Sequence, residues 1–207
     1  MIVKIACRGI TPLLFNSMTP SALLALPGGC EVKESKTKGI GNTMTPREVA
    51  APKVYMCNGK PIIPGRMLLS CLIAAGQGVR LDGKRQISTA EKTVLPALMT
   101  LLSGDSPLYT RPEGVTPSWE PDIQQGRNPS TSKACCIIRP RFDNWAFDFE
   151  IDIHEDEIGE NTIRQLVDKA GRRIGLGDFR PMHKGTFGQF VVDSWEKQNE
   201  TAAAAAE

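Results

Sequence analysis

The chain has 207 residues, of which 41% are hydrophobic, 23% charged and 6% aromatic, enough for one large domain that buries its own core. No run approaches the ~18 apolar residues of a membrane span. The opening "MIVKIACRG" alternates like a strand and lacks the apolar stretch and cleavage site of a signal peptide, so a cytoplasmic protein that contacts no membrane is expected. The net charge of +2 is unevenly divided, with 13 Lys/Arg against 5 Asp/Glu through Lys92 and 12 against 18 from Thr93 onward. Such a basic half suits a polyanion, or the acidic half of a neighbouring copy.

In "IVKIACR" Val3, Ile5 and Cys7 alternate with Lys4 and Arg8, which predicts a half-buried strand. Residues 16–60 show no sustained periodicity and are rich in Gly, Pro, Ser, Thr and Lys. They read as a first long insertion, of a length that is usually functional or mobile. In "GKPIIPGRMLLSCLIAAG" Pro64 precedes and Gly76 closes an apolar run, the positions those two residues prefer at a helix start and end. "QISTAEKTVLPALMTLL" is ambiguous, because Ser88 and Glu91 are spaced as a capping box while Pro96 interrupts the run. Residues 104–133 form a second insertion, polar and Pro-rich.

"ACCIIRPRF", the pair Asp143–Asn144 and "WAFDFEIDI" read as a hairpin. On its second strand Trp145, Phe147, Phe149, Ile151 and Ile153 alternate with Asp148, Glu150 and Asp152, and the turn places Arg139 opposite Asp148. Lys4, Arg8 and Arg139 are then expected to balance that acidic face. "ENTIRQLVDKAG" carries Ile163, Leu166, Val167 and Ala170 at helical spacing, and "TFGQFVVDSW" is a last strand. The order is strand, helix, strand, strand, helix, strand. It predicts an α+β fold with a ferredoxin-like (RRM-like) βαββαβ core carrying two long insertions. Residues 1–198 form the domain and 199–207 a low-complexity tail.

The six cysteines form no CxxC pair, and neither His154 nor His183 has a cysteine at ligand spacing. Reduced thiols are expected, with no metal and no cofactor. The densest cluster of unusual residues is "AGRRIGLGDFRPMHKGTFGQFVV", where Gly175, Gly177, Gly185 and Gly188 accompany Arg172, Arg173, Arg180 and Lys184. It lacks the GK[ST] ending of a Walker loop and follows a helix rather than a strand, which excludes a Rossmann fingerprint. Two uses remain open: an anion-binding nest of backbone N–H groups, or a turn whose glycines let the chain pack closely.

Two motifs in this order resemble the RAMP superfamily, the RNA-binding proteins of CRISPR ribonucleoproteins. One is Gly59, Pro61, Ile63, Pro64, Gly65 and Leu68 at the start of the first helix. The other is Gly175, Gly177, Gly185 and Gly188 before the last strand. In size and in its long first insertion the chain is most similar to the backbone subunit that repeats along a guide RNA. The resemblance implies a non-catalytic RNA-binding subunit in antiviral defence, with guide RNA, further effector subunits, a target nucleic acid and a helical or filament-like homo-oligomer as its partners. Its cutting members use an Asp in the loop after the first strand, and here the first Asp is Asp82. A precursor-processing RNA endonuclease using His183, or a self-assembling protein without nucleic acid, are the alternatives. RNA is expected at backbone phosphates, on Lys36, Lys38, Arg47 and Lys53 of the first insertion, Arg66 at the helix start, and Gly175, Gly177, Arg180, His183 and Lys184 of the glycine loop. The acidic sheet face would repel it. Within the second insertion Tyr109, Trp119 and Arg127 would reach a neighbouring copy.

Overall fold

The computed structural model describes residues 1–18, 44–81, 83–127 and 132–198. Expectations for Lys36, Lys38 and the tail 199–207 therefore lie outside the described residues. The first elements are β1 (Ile2–Gly9), β2 (Leu13–Leu14), α1 (Pro46–Ala50), β3 (Met56–Cys57), β4 (Lys60–Pro64), α2 (Gly65–Ala75), β5 (Arg80–Leu81) and β6 (Arg85–Gln86). After them come α3 (Leu95–Leu98), β7 (Met99–Leu101), β8 (Asp105–Pro107), β9 (Glu120–Arg127), β10 (Ala134–Phe142), β11 (Ala146–Ile153), α4 (Glu160–Lys169) and β12 (Phe190–Lys197).

The alternating residues of β1 and β11 build the centre of a four-stranded antiparallel sheet ordered β12-β1-β11-β7. Ile5 faces Phe149 and Cys7 faces Phe147 across the pair. One face is therefore continuous and apolar, as period-two alternation requires. On it pack Leu68, Cys71 and Leu72 of α2 and Ile163, Leu166 and Val167 of α4, all within one buried cluster. Trp145 closes its end, stacked on Phe147 at 5.9 Å, with its indole N–H donated to the Thr11 carbonyl at 2.8 Å. Two three-stranded sheets flank this layer, ordered β2-β10-β9 and β3-β4-β8. No described helix is long and apolar enough to cross a membrane.

The hairpin expected between residues 134–142 and 145–153 does not form. The two strands go to different sheets: β10 pairs with β9 and β2, and β11 with β1 and β7. The free edge of β11 is already taken. At one end Ala146 exchanges both backbone hydrogen bonds with Tyr109, at 2.7 and 3.0 Å, and at the other Ile151–Ile153 pairs with β7.

Arg139 consequently sits opposite Asp122 rather than Asp148. Asp148 accepts instead from the Tyr109 hydroxyl at 2.5 Å, and Arg8 pairs with Asp193 at 3.2 Å. On the acidic face of the main sheet Asp148 is thus served by Tyr109 and Asp152 by the Met1 amine at 2.9 Å, and neither by Arg139. The spacing of Ser88 and Glu91 gives no capping box either, since the Ser88 hydroxyl bonds Thr93 at 2.8 Å. The second insertion contains β8 and β9.

Cys7 and Cys71 lie in the core, whereas Cys57 and Cys136 are exposed. Burial pushes the Cys7 thiol well above its ordinary value, with the charge of Asp148 adding to it, and pushes Cys71 to about 12. Thiolate is the reactive form, so both core thiols stay protonated at pH 8. Iodoacetamide at that pH should modify Cys57 and Cys136 within minutes and leave Cys7 and Cys71 untouched until denaturant is added, as read by peptide mass mapping. Labelling of Cys71 as fast as Cys57 would contradict the packing of α2 against the sheet.

Candidate nucleic-acid interface

Three segments far apart in sequence meet beside the N-terminus of α2. Asn16 follows β2, Tyr55 precedes the β3–β4 ribbon, and Gly177, Asp178 and Arg180 belong to the glycine-rich connection between α4 and β12. With Met67 of α2 they enclose a concavity of about 210 Å³. A second concavity of about 450 Å³ includes Tyr55, Ile62, Gly65, Arg66 and Asp105. Tyr55 lines both, so the concavity that holds Arg180 and the one that holds Arg66 share this residue. The ring is held edge-on against buried Phe15 at 5.2 Å.

The glycine loop is built by close approach. Gly188 has φ +71°, and a Cβ there would stand 1.8 Å from the Leu176 carbonyl oxygen. The loop's backbone N–H groups are largely consumed in forming it. Gly175 donates to Ala170, Leu176 to Gly188, Asp178 to Leu14, and Gly188 to Pro12, at 2.7–2.9 Å. His183 and Gly185 both donate to the Arg180 carbonyl, and Lys184 to that of Pro181. Of the two uses open to these glycines, the geometry takes close packing. Gly175 and Gly177 are buried and shape the loop, and the positive charge comes from the side chains it carries.

Those side chains are not equivalent. Arg66 is exposed on the first turn of α2, and His183 and Lys184 are exposed in the loop. Arg180 is half-buried and donates one guanidinium N–H to the Gly177 carbonyl at 2.7 Å, which fixes its direction. Arg47 is exposed but occupied: it lies over the Trp119 ring at 4.6 Å and 3.6 Å from the Glu120 carboxylate. The α1 start that carries it is a Thr45–Glu48 capping box. Lys53 points inward and donates to the Ile138 carbonyl at 2.5 Å. Burial, seconded by the charge of Arg139, holds its amine below the ordinary lysine value. The structure thus groups Arg66 and Arg180 around Tyr55, and assigns Arg47 and Lys53 to internal contacts.

The α2 N-terminus is already partly served, since the Gly65 N–H approaches the Asp105 carboxylate at 3.4 Å. An acidic group there completes the helix dipole and competes with any phosphate. Beneath the loop Arg139 is 6% exposed and bridges Asp122 at 3.2 Å and Asp178 at 3.1 Å. Sequence reasoning missed Tyr55, Asp178 and Phe179. Tyr55, one of only two tyrosines, carries no periodic signal, and the other two stand between the loop's glycines with no pattern of their own. Among the described residues no group of three or more His, Cys, Asp or Glu is placed to hold a metal ion.

The fold these elements define is α+β, with helices on one face of an antiparallel sheet and two smaller sheets beside it. No protein-family model and no curated protein matches the chain. In structure it is similar to a chain of the Type III-B Cmr-beta complex bound to cognate target RNA, solved by cryo-EM. The TM-score is 0.52 at 13% identity, and the match covers 94% of this chain. It spans 59% of that chain. At this identity the likeness is one of fold.

Two substitutions test the loop's construction. Gly188→Ala should cost about 2 kcal/mol or more, from the left-handed backbone and the overlap with Leu176. Arg139→Leu should cost about 3–5 kcal/mol by stranding the buried Asp122. Urea unfolding of each variant measures both, and a loss below about 1 kcal/mol in Arg139→Leu would mean that the bridge does not hold the loop.

Proposed function

We propose that this chain is an RNA-binding subunit that assembles along a guide RNA in a CRISPR-type ribonucleoprotein and contacts the RNA backbone without cutting it. The observation that carries this reading is the convergence of Arg66 and Arg180 on the recessed surface around Tyr55, with Lys184 exposed on the same loop as Arg180. Cations lining two concavities that share a residue attract phosphate without reading base edges. The sheet order β12-β1-β11-β7, with α2 and α4 on one face, supports a ferredoxin-like core, in which β7 rather than β10 is the second strand. Likeness of fold to a chain from an RNA-bound Cmr complex supports the same assignment.

Assembly follows from the division of charge, with a basic first half able to meet the acidic second half of the next copy. The β9–β10 ribbon supports this, since Arg127 and Ala134 at its end are exposed, whereas Tyr109 is bonded to Ala146 and Asp148 and Trp119 is covered by Arg47 within the chain. We assign it the contact with the neighbouring copy.

Binding of fluorescent RNA oligomers across a salt series tests the reading. Arg66→Ala, Arg180→Ala and Lys184→Ala should each weaken binding by a similar factor for unrelated sequences. Each should also lower the salt slope by roughly 0.7 for every phosphate that the removed cation neutralised. Absence of RNA from the purified protein, with no binding at low salt, would remove RNA from the function. Cleavage of the oligomers that disappears in His183→Ala would replace the binder with a nuclease.

A further inference from the structure

We propose that Phe179 is a stacking platform for one nucleobase of the bound strand, an inference that rests on the RNA-binding reading and deepens it. Phe179 is 47% exposed and Met182, in the next turn, is equally so. It is also one of the few non-glycine residues at positive φ, +50°. That conformation costs an L-residue roughly 1–2 kcal/mol, and an aromatic one adopts it rarely. An exposed ring recovers little of that cost by burial. Strain of this kind persists where the surroundings over-determine it, and it collects at ligand contacts.

The surroundings do over-determine it. The Phe179 N–H donates to the Asp178 carboxylate at 2.9 Å, and its carbonyl accepts from the Phe187 N–H at 3.2 Å. Asp178 is itself pinned by Arg139 at 3.1 Å. Gly185 presses on the Phe179 carbonyl so closely that a Cβ would stand 1.6 Å from the oxygen. The ring is backed by the Arg139 guanidinium at 5.9 Å and by Phe187 at 6.2 Å. The loop therefore presents an aromatic ring outward on a backbone that cannot readily relax.

Its neighbours decide what the ring meets. Arg180 is the next residue and Lys184 is exposed four further on. An apolar ring flanked by cations suits a ligand with a flat π-face and phosphates beside it, which is one nucleotide of a single strand. It suits an apolar protein surface poorly, since docking one there would desolvate the cations. Base-on-ring stacking tolerates any sequence, because every base has a π-face. That agrees with phosphate contacts that read no bases.

The test uses the full chain and an RNA oligomer carrying 2-aminopurine at successive positions, whose fluorescence is quenched on stacking. Wild type should quench the probe at particular positions. Phe179→Asn should abolish that quenching and weaken binding roughly ten-fold with an unchanged salt slope, because every cation facing a phosphate is still in place. Asn tolerates left-handed backbone, so the variant should melt no lower than wild type, while Phe179→Trp should retain quenching. Wild-type affinity and quenching in Phe179→Asn, with Arg180→Ala and Lys184→Ala still weakened, would overturn the platform and leave the RNA reading intact. Absence of RNA binding by wild type would overturn both. Reduced self-association of Phe179→Asn in sedimentation, with RNA affinity unchanged, would assign the ring to a second copy instead.

Discussion

Arg139 holds three parts of this protein in one place. From the middle of β10 its guanidinium reaches Asp122 on β9 and Asp178 in the glycine loop, which ties the β2-β10-β9 sheet to the connection entering the last strand. An arginine so deeply buried carries a large desolvation cost unless carboxylates and hydrogen bonds offset it. It therefore constrains where both partners can sit. Lys53, drawn by the neighbouring Ile138 carbonyl, adds a second cation to the same corner, where burial and the charge of Arg139 hold its amine below the ordinary lysine value.

The rigidity of the loop follows from that anchor and from its own hydrogen bonds. A nest that binds anions must keep its N–H groups free, whereas here they bond the carbonyls of Ala170, Gly188, Leu14 and Pro12. Such a loop displays side chains rather than backbone. Arg180 is oriented by the Gly177 carbonyl, Phe179 by Asp178 and Phe187, and Tyr55 by Phe15. Side chains fixed in this way lose little entropy when a ligand arrives, and this is what preorganisation supplies to a binding surface.

Several elements were legible because their signal is local. The strands β1, β11 and β12 follow from alternation and α4 from helical spacing. The helix α2 follows from Pro64 and Gly76, and each of these depends only on which face of a short segment is apolar. Strand pairing is not local. Nothing in "ACCIIRPRF" or "WAFDFEIDI" says that Tyr109 and β7 already occupy the edge of β11, so the adjacent pair looked like a hairpin. The same limit applies to the cations. Arg47, Lys53 and Arg66 are alike as cations in the sequence, yet one lies over Trp119, one donates to the Ile138 carbonyl of β10 and one is exposed.

By itself, then, the sequence determined the apolar faces, the start and end of the main helices and the presence of a glycine-rich basic connection, since period, caps and composition are carried by neighbouring residues. Tertiary structure alone decided which strands share a sheet, that Arg139 belongs to Asp122 and Asp178, that the loop glycines serve packing, and that Tyr55 and Phe179 stand among the cations. Each of those depends on competition between segments far apart in the chain for the same hydrogen-bonding edge or the same buried volume.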